Sequence, residues 1–364
     1  MILKQLVLQN FRNYSKKEFK FSDNVNLIVG PNAAGKTNIL EAIYFLATGR
    51  SFRVKSVERE AILSGEEIGR IEGEIHEGNQ KTKLEIVLTV GEIMGEKTAK
   101  KRYLVNQVSK RAIDFLGNLR SVYFGPEDLE LVTDSPGLRR RYLEAVLSQV
   151  DSEYFRASLS YEKGLRSRNR LLEEMKETKI VDRRRLYFWD QLLIKNGNYI
   201  TQKRGEFINY LNNEPTFAPP NRRASTGKQF SIEYDSSTIS EGRLAKYAAE
   251  EVAAGMTLVG PHRDNFKFKS SGGQERDLSV YGSRGEQRLA VLWLKLGELA
   301  FIKEKTNDLP VLLLDDIFSE LDVPHRELIF GLIANHQTII TTADLRMVEK
   351  KSLNEVDLIN LSIV

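Results

Sequence analysis

The chain contains no cysteine. That excludes disulfides, zinc–thiolate sites and cysteine nucleophiles, and it fits a reducing cytoplasm. Histidine is scarce: His76, His262, His325 and His336 are scattered, without metal-ligand spacing. There is no apolar run long enough for a membrane-spanning helix; no membrane partner is expected, the large basic insertion arguing against one. Met1 to Leu8 alternates like a strand and lacks the form of a cleavable signal, which again points to the cytoplasm. Charge imbalance is small. A net charge of +4 permits a polyanionic partner without requiring one. Repeats and low-complexity tracts are absent, and 364 residues leave room for about two domains.

What is present is organised around Gly30-Pro31-Asn32-Ala33-Ala34-Gly35-Lys36-Thr37, which fits the phosphate-loop pattern G-x-x-x-x-G-K-[ST]. Gly30 and Gly35 allow backbone angles that bring successive N–H groups onto phosphate oxygens. Lys36 adds a charge for the β- and γ-phosphates of ATP, and Thr37 offers a hydroxyl to Mg²⁺. The context agrees: Val25 to Val29 reads as a buried strand. Ile39, Leu40, Ile43, Tyr44 and Leu46 then recur at helical spacing, with Gly49 as C-cap.

Ile68 to Ile75 and Leu84 to Val90 read as a hairpin around Gly78-Asn79-Gln80, and Arg102 to Val108 continues the strand character. Val122-Tyr123-Phe124 is a short buried strand ended by Gly125-Pro126. From Leu138 to Asn212 the character is helical, charged and arginine-rich. Thr216 to Lys228 is a turn-rich loop, Phe230 to Tyr234 a strand, Glu241 to Ala253 a helix, and Thr257 to Pro261 a strand and turn.

Val311-Leu312-Leu313-Leu314 is an apolar run closing on Asp315 and Asp316, as for a parallel strand buried on both faces. Acids at that end lie where ligands bind in open α/β sheets. Asp315 is assigned to Mg²⁺, directly or through water, and Asp316 to orienting or deprotonating the attacking water. Asp315 lies 278 positions beyond Thr37, more than a compact nucleotide-binding core needs. A second lobe must therefore be inserted.

Ser283-Arg284-Gly285-Glu286-Gln287 precedes an apolar-periodic helix of Leu289, Leu292, Trp293, Leu296 and Leu299. The segment resembles the ABC-type signature, physically a second helix N-terminus with a serine hydroxyl. The resemblance implies that Ser283, Gly285 and Gln287 of one copy face the nucleotide held by another, in an ATP-dependent homodimer. Ser319 to Asp322 resembles the D-loop. Ile339 to Thr342 resembles the strand whose end carries a γ-phosphate sensor, at Thr341 or Thr342.

Taken together, Asn10-Phe11-Arg12-Asn13-Tyr14, the phosphate loop, Gly125-Pro126-Glu127-Asp128-Leu129, Gly260-Pro261-His262-Arg263-Asp264, the Ser283 segment and Leu314-Asp315-Asp316 resemble the RecF family. That family comprises bacterial recombination mediators related to the structural-maintenance-of-chromosomes ATPases. The resemblance implies an α/β ABC-type P-loop ATPase head, a mixed sheet with helices plus an antiparallel β-subdomain, carrying an inserted, mostly helical arm. The expected bounds are 1–125 with 255–364 for the head and 126–254 for the arm. It implies binding to DNA at single-stranded gaps, junctions or duplex, action with RecO and RecR, and support of replication and the SOS response. It adds Arg12 to the nucleotide-binding residues and gives Lys36, Ser283 and Asp316 catalytic roles.

Asp316 stands where most ABC ATPases have Glu. A shorter carboxylate reaches less far toward water, so slow, switch-like hydrolysis is expected. No clear Q-loop glutamine is found; the Gly125 segment is expected at that position, with Glu127 or Asp128 nearest the metal. DNA phosphates call for Lys and Arg. Arg50, Arg53, Arg139, Arg140, Arg166, Arg168 and Arg184 are the candidates, each with a solvated face or a salt bridge as its plain alternative. Aromatic interleaving is thin, which argues against base stacking as the main mode of DNA binding. Competing readings are the ATPase subunit of a membrane transporter, and a structural chromosome ATPase.

Overall fold

The structure, a computed structural model, describes residues 1–53, 58–213, 230–270, 275–319, 326, 329–331, 333, 335–343 and 356–362. The turn-rich loop expected at 216–228 and residues 320–322 of the D-loop-like segment lie outside the described residues. The chain divides into two compact units, Met1–Asp128 with Glu298–Val364, and Leu129–Gly297.

The first unit holds two sheets. One is parallel, in the order Ser121–Phe124, Val311–Asp315, Thr338–Thr342, Val25–Val29, Val356–Asn360. Val311–Asp315 and Thr338–Thr342 are buried at every position, which is why they read as continuous rather than alternating runs. The other sheet is antiparallel, in the order Tyr14–Lys20, Ile2–Phe11, Ile68–Glu77, Gln80–Thr89, Lys101–Val105, Val108–Lys110. Its central hairpin is longer than the alternation predicts. Glu77 pairs with Gln80 across the two-residue turn Gly78-Asn79, with Gly78 at φ 56°.

Helix Lys36–Thr48 packs on strands of both sheets. Ile39, Leu40, Ile43, Phe45 and Leu46 are buried, each contributing about 1.5–3 kcal/mol. Gly49 ends the helix at φ 70°, its N–H donating to Phe45 O. The amide of Gln337 bonds both the N–H and the carbonyl of Leu3, and also Ser22 O, tying the two sheets at a buried point.

The second unit contains helices Pro136–Val150, Ser152–Thr178 and Tyr187–Asn213, so the helical tract expected from 138 to 212 is broken twice. Asp151 caps the second of these helices through Tyr154 N–H. Leu172, Met175 and Leu186 form a core cluster near the turn between the last two. Residues 255–297, expected with the head, group with this unit. The reason is register: Asn265–Ser270 pairs antiparallel with Phe230–Asp235 and then with Arg276–Asp277. The strand expected at Thr257 to Pro261 does not form. Gly260 stands at φ 124° and Pro261–Arg263 is a 3₁₀ turn, so the strand begins only at Asn265. The helix expected at 241–253 is two short helices broken at Tyr247.

Candidate nucleotide-binding site

Strand Val25–Val29 delivers the loop at Gly30. A Cβ there would lie 2.7 Å from the Leu361 carbonyl oxygen, and one at Gly35 would lie 2.6 Å from the Tyr14 hydroxyl. Gly35 also stands at φ 92°, and Ala33, not a glycine, at φ 67°. Left-handed backbone in a phosphate loop curls its N–H groups toward one point. Helix Lys36–Thr48 starts with no side-chain cap, so its first N–H groups are presented by the loop itself. Lys36 Nζ donates to Gly30 O at 2.8 Å and Pro31 O at 2.9 Å. Burial lowers the pKa of this ammonium, while Asp316 and Asp315 pull it back up.

Asp315 ends its strand beside Thr37. The Thr37 hydroxyl donates to Asp315 Oδ1 at 3.1 Å, joining residues 278 apart. The Thr341 hydroxyl donates to the same oxygen at 2.5 Å. The Tyr123 hydroxyl lies 3.3 Å from Asp315 Oδ2 and 2.8 Å from Glu127 Oε2. Burial, reinforced by the Asp315, Glu127 and Asp128 carboxylates, pushes the Tyr123 pKa far above the ordinary phenol range. Tyr123 therefore stays a neutral donor. The hydroxyl and carboxylate oxygens of Thr37 and Asp315 fit a hard divalent cation such as Mg²⁺. Asp316 stands at φ 48°, its N–H shared between Thr341 O at 3.1 Å and Thr341 Oγ1 at 3.2 Å.

Two readings left open in the sequence differ in their surroundings. Asp128 is buried and accepts the Gly125 N–H at 3.0 Å, so it closes its own turn; Glu127 shares a hydroxyl with Asp315. Thr341 is fully buried and turned onto Asp315.

Helix Arg284–Thr306 begins at Ser283 with a reciprocal box. The Ser283 N–H and hydroxyl each donate to Glu286 Oε2 at 2.9 Å, and the Glu286 N–H donates back to Ser283 Oγ at 3.3 Å. Ser283 and Gly285 are exposed, and a Cβ at Gly285 would meet nothing within 4 Å. Gln287 requires a correction. It is buried and donates to Leu278 O at 2.9 Å, so its amide braces the preceding turn rather than standing exposed beside Ser283.

The family model for the RecF/RecN/SMC N terminal domain matches residues 2–360. A relative from Ligilactobacillus salivarius, named DNA replication and repair protein RecF, is 34% identical over 98% of this chain and 94% of its own. One of the same name from Bacillus thuringiensis is 35% identical over 100% and 97%. The chain belongs to the RecF family of DNA replication and repair proteins. A solved RecF–ATP structure superposes at TM-score 0.84 with 34% identity, covering 96% of this chain and 93% of that one. An Smc head domain from Pyrococcus furiosus, 17% identical at TM-score 0.51 over 100% of this chain and 94% of that one, shares the fold alone.

The RecF-like motif around Arg12 is tied to the phosphate-loop helix. Arg12 Nε and Nη2 donate to Glu41 Oε2 and Oε1 at 2.9 and 2.5 Å, and Nη1 to Glu60 O at 2.6 Å. Its guanidinium is thus held against a fully buried carboxylate of the phosphate-loop helix. Glu41 also accepts the Ser51 hydroxyl at 2.5 Å and pairs with Arg53 at 3.3 Å.

Two of the arginines expected at DNA are corrected by burial. Arg168 is 1% exposed and bound to Asp190, Glu251 and Thr257. Arg139 is buried and donates to Leu131 O, Val132 O and Asn265. Arg140 is half-buried and donates to Asp264 O. Arg50 is exposed, and Arg53 partly so. Arg166 and Arg184 are exposed beside Glu162 and Asp182. The Gly260 motif is internal scaffolding: buried Asp264 accepts from Arg204, Tyr234 and the Ser237 N–H. Residue-by-residue reading passed over Glu41, Tyr123 and Phe52. The one available signal was an aromatic residue next to the end of an apolar parallel strand, two positions before Gly125-Pro126.

Proposed function

We propose that this chain is an ATP-driven, DNA-binding switch of recombinational repair. The phosphate loop and Lys36 hold the triphosphate, with Thr37 and Asp315 as Mg²⁺ ligands. The bound cation would draw charge off the β- and γ-phosphates. Asp316, at the strand end, orients the attacking water, and its short reach makes hydrolysis slow, below the enzyme median of about 10 s⁻¹. Ser283 and Gly285 complete the ATP site of a second copy, so ATP drives head-to-tail pairing. The pair engages DNA at single-stranded gaps and junctions through Arg50, Arg53, Arg166 and Arg184, and works in the cytoplasm with RecO and RecR. Relatives solved with ATP or ATPrS are described as recombination mediator proteins in the RecFOR pathway, which supports this reading.

The observation that carries it is the 3.1 Å contact between Thr37 and Asp315, which joins the phosphate loop to the strand-end acid from distant parts of the chain, as a shared metal–nucleotide site requires. Light scattering with and without Mg·ATP, in the presence of gapped DNA, tests it. Asp316→Asn should bind ATP and accumulate the pair. DNA affinity that ignores both ATP and salt would contradict the proposal.

A further inference from the structure

Tyr123 lies outside the phosphate loop, the signature-like segment and the strand-end acids, yet four features converge on it. Its ring is stacked on Phe52, with centroids 3.8 Å apart and planes 11° from parallel. Tyr44, on the phosphate-loop helix, meets the same ring edge-on at 6.2 Å. The hydroxyl reaches Glu127 Oε2 at 2.8 Å and Asp315 Oδ2 at 3.3 Å. Gly125 makes room for it, because a Cβ there would lie 2.1 Å from the phenol oxygen.

A phenol carries one proton and here faces two carboxylates. The two oxygens of Asp315 are treated differently. Oδ1 is taken by the Thr37 and Thr341 hydroxyls, and Oδ2 has the Tyr123 hydroxyl beside it. The carboxylate plane is thereby defined from both sides. We propose that Tyr123 is a positioning residue for Asp315: the Phe52 stack and the Gly125 gap hold its hydroxyl between Glu127 and Asp315, which sets the orientation in which Asp315 receives the cation. This rests on the reading of Asp315 as the Mg²⁺ carboxylate. Groups that orient a metal ligand without touching the metal typically govern affinity by 10–100-fold.

The test is a Mg²⁺ titration of fluorescent ATP-analogue binding by the full chain, repeated in EDTA, with melting temperature as the control. Tyr123→Phe keeps the stacking ring and removes only the hydroxyl. It should raise the half-saturating Mg²⁺ concentration roughly tenfold, while binding in EDTA and the melting temperature stay close to wild type. Gly125→Ala, which displaces the hydroxyl, should shift the titration in the same direction. Asp315→Asn should abolish the Mg²⁺ response. If Asp315→Asn abolishes it but Tyr123→Phe and Gly125→Ala leave it unmoved, Tyr123 is packing alone and the inference is overturned. If Asp315→Asn keeps a normal response, the metal assignment beneath it fails instead.

Discussion

Two helix N-termini in this chain carry nucleotide motifs, and they are built in opposite ways. The one at Gly35 has no side-chain cap, a left-handed glycine at φ 92°, and a lysine folded onto its own loop carbonyls. The one at Ser283 is closed by its own residues, since Glu286 accepts from Ser283 and receives a cap in return. Both present the positive end of a helix dipole. The first has no side-chain cap; the second already holds a carboxylate, with which an incoming phosphate would compete. The contrast predicts affinity at the first terminus and conditional, ligand-dependent engagement at the second.

That contrast can be broken most severely at Lys36. Lys36→Ala removes the only side-chain cation of the loop and should weaken ATP binding by about 100-fold or more, some 3 kcal/mol, measured by calorimetry. With it goes pairing. Ser283→Arg acts at the other terminus: ATP affinity should stay within about twofold of wild type while ATP-dependent pairing is lost on sizing. A variant that pairs normally would remove the second terminus from the site.

Gly35→Ala probes why the first terminus can remain open. An alanine at φ 92°, facing the Tyr14 hydroxyl, should cost about 1–3 kcal/mol of stability in denaturant unfolding, with ATP affinity falling in parallel. Glu286→Gln gives the smallest and most discriminating effect. It keeps the box geometry but deletes the competing charge, so pairing should occur at a few-fold lower ATP concentration, with stability changed by less than about 1 kcal/mol. Unchanged or weaker pairing would mean that Glu286 does not compete with phosphate.

Legibility in the sequence followed the range of the interactions. The phosphate loop was readable because its eight residues are contiguous and each answers a backbone or charge requirement within the same turn. The apolar run to Asp315 was readable because burial on both faces leaves a continuous pattern. Arginines were not. Arg166 and Arg168 stand two positions apart on one helix, yet one is 72% exposed and the other 1%. Period and composition describe the helix, but the carboxylates that draw Arg168 inward, Asp190 and Glu251, come from other elements. Gln287 and Arg12 carry the same lesson. Both are polar residues in ligand-like motifs whose partners, Leu278 O and Glu41, were set by packing.

The amino-acid order alone determined the family, the phosphate-loop chemistry and the need for an inserted lobe. These rest on local backbone demands and on the spacing between motifs. Tertiary structure decided which charges reach solvent, where the inserted unit ends, and that Thr37, Tyr123 and Thr341 converge on Asp315. The reason is physical: burial and hydrogen-bond pairing join side chains far apart in the chain, and no local pattern encodes the partner that each will meet.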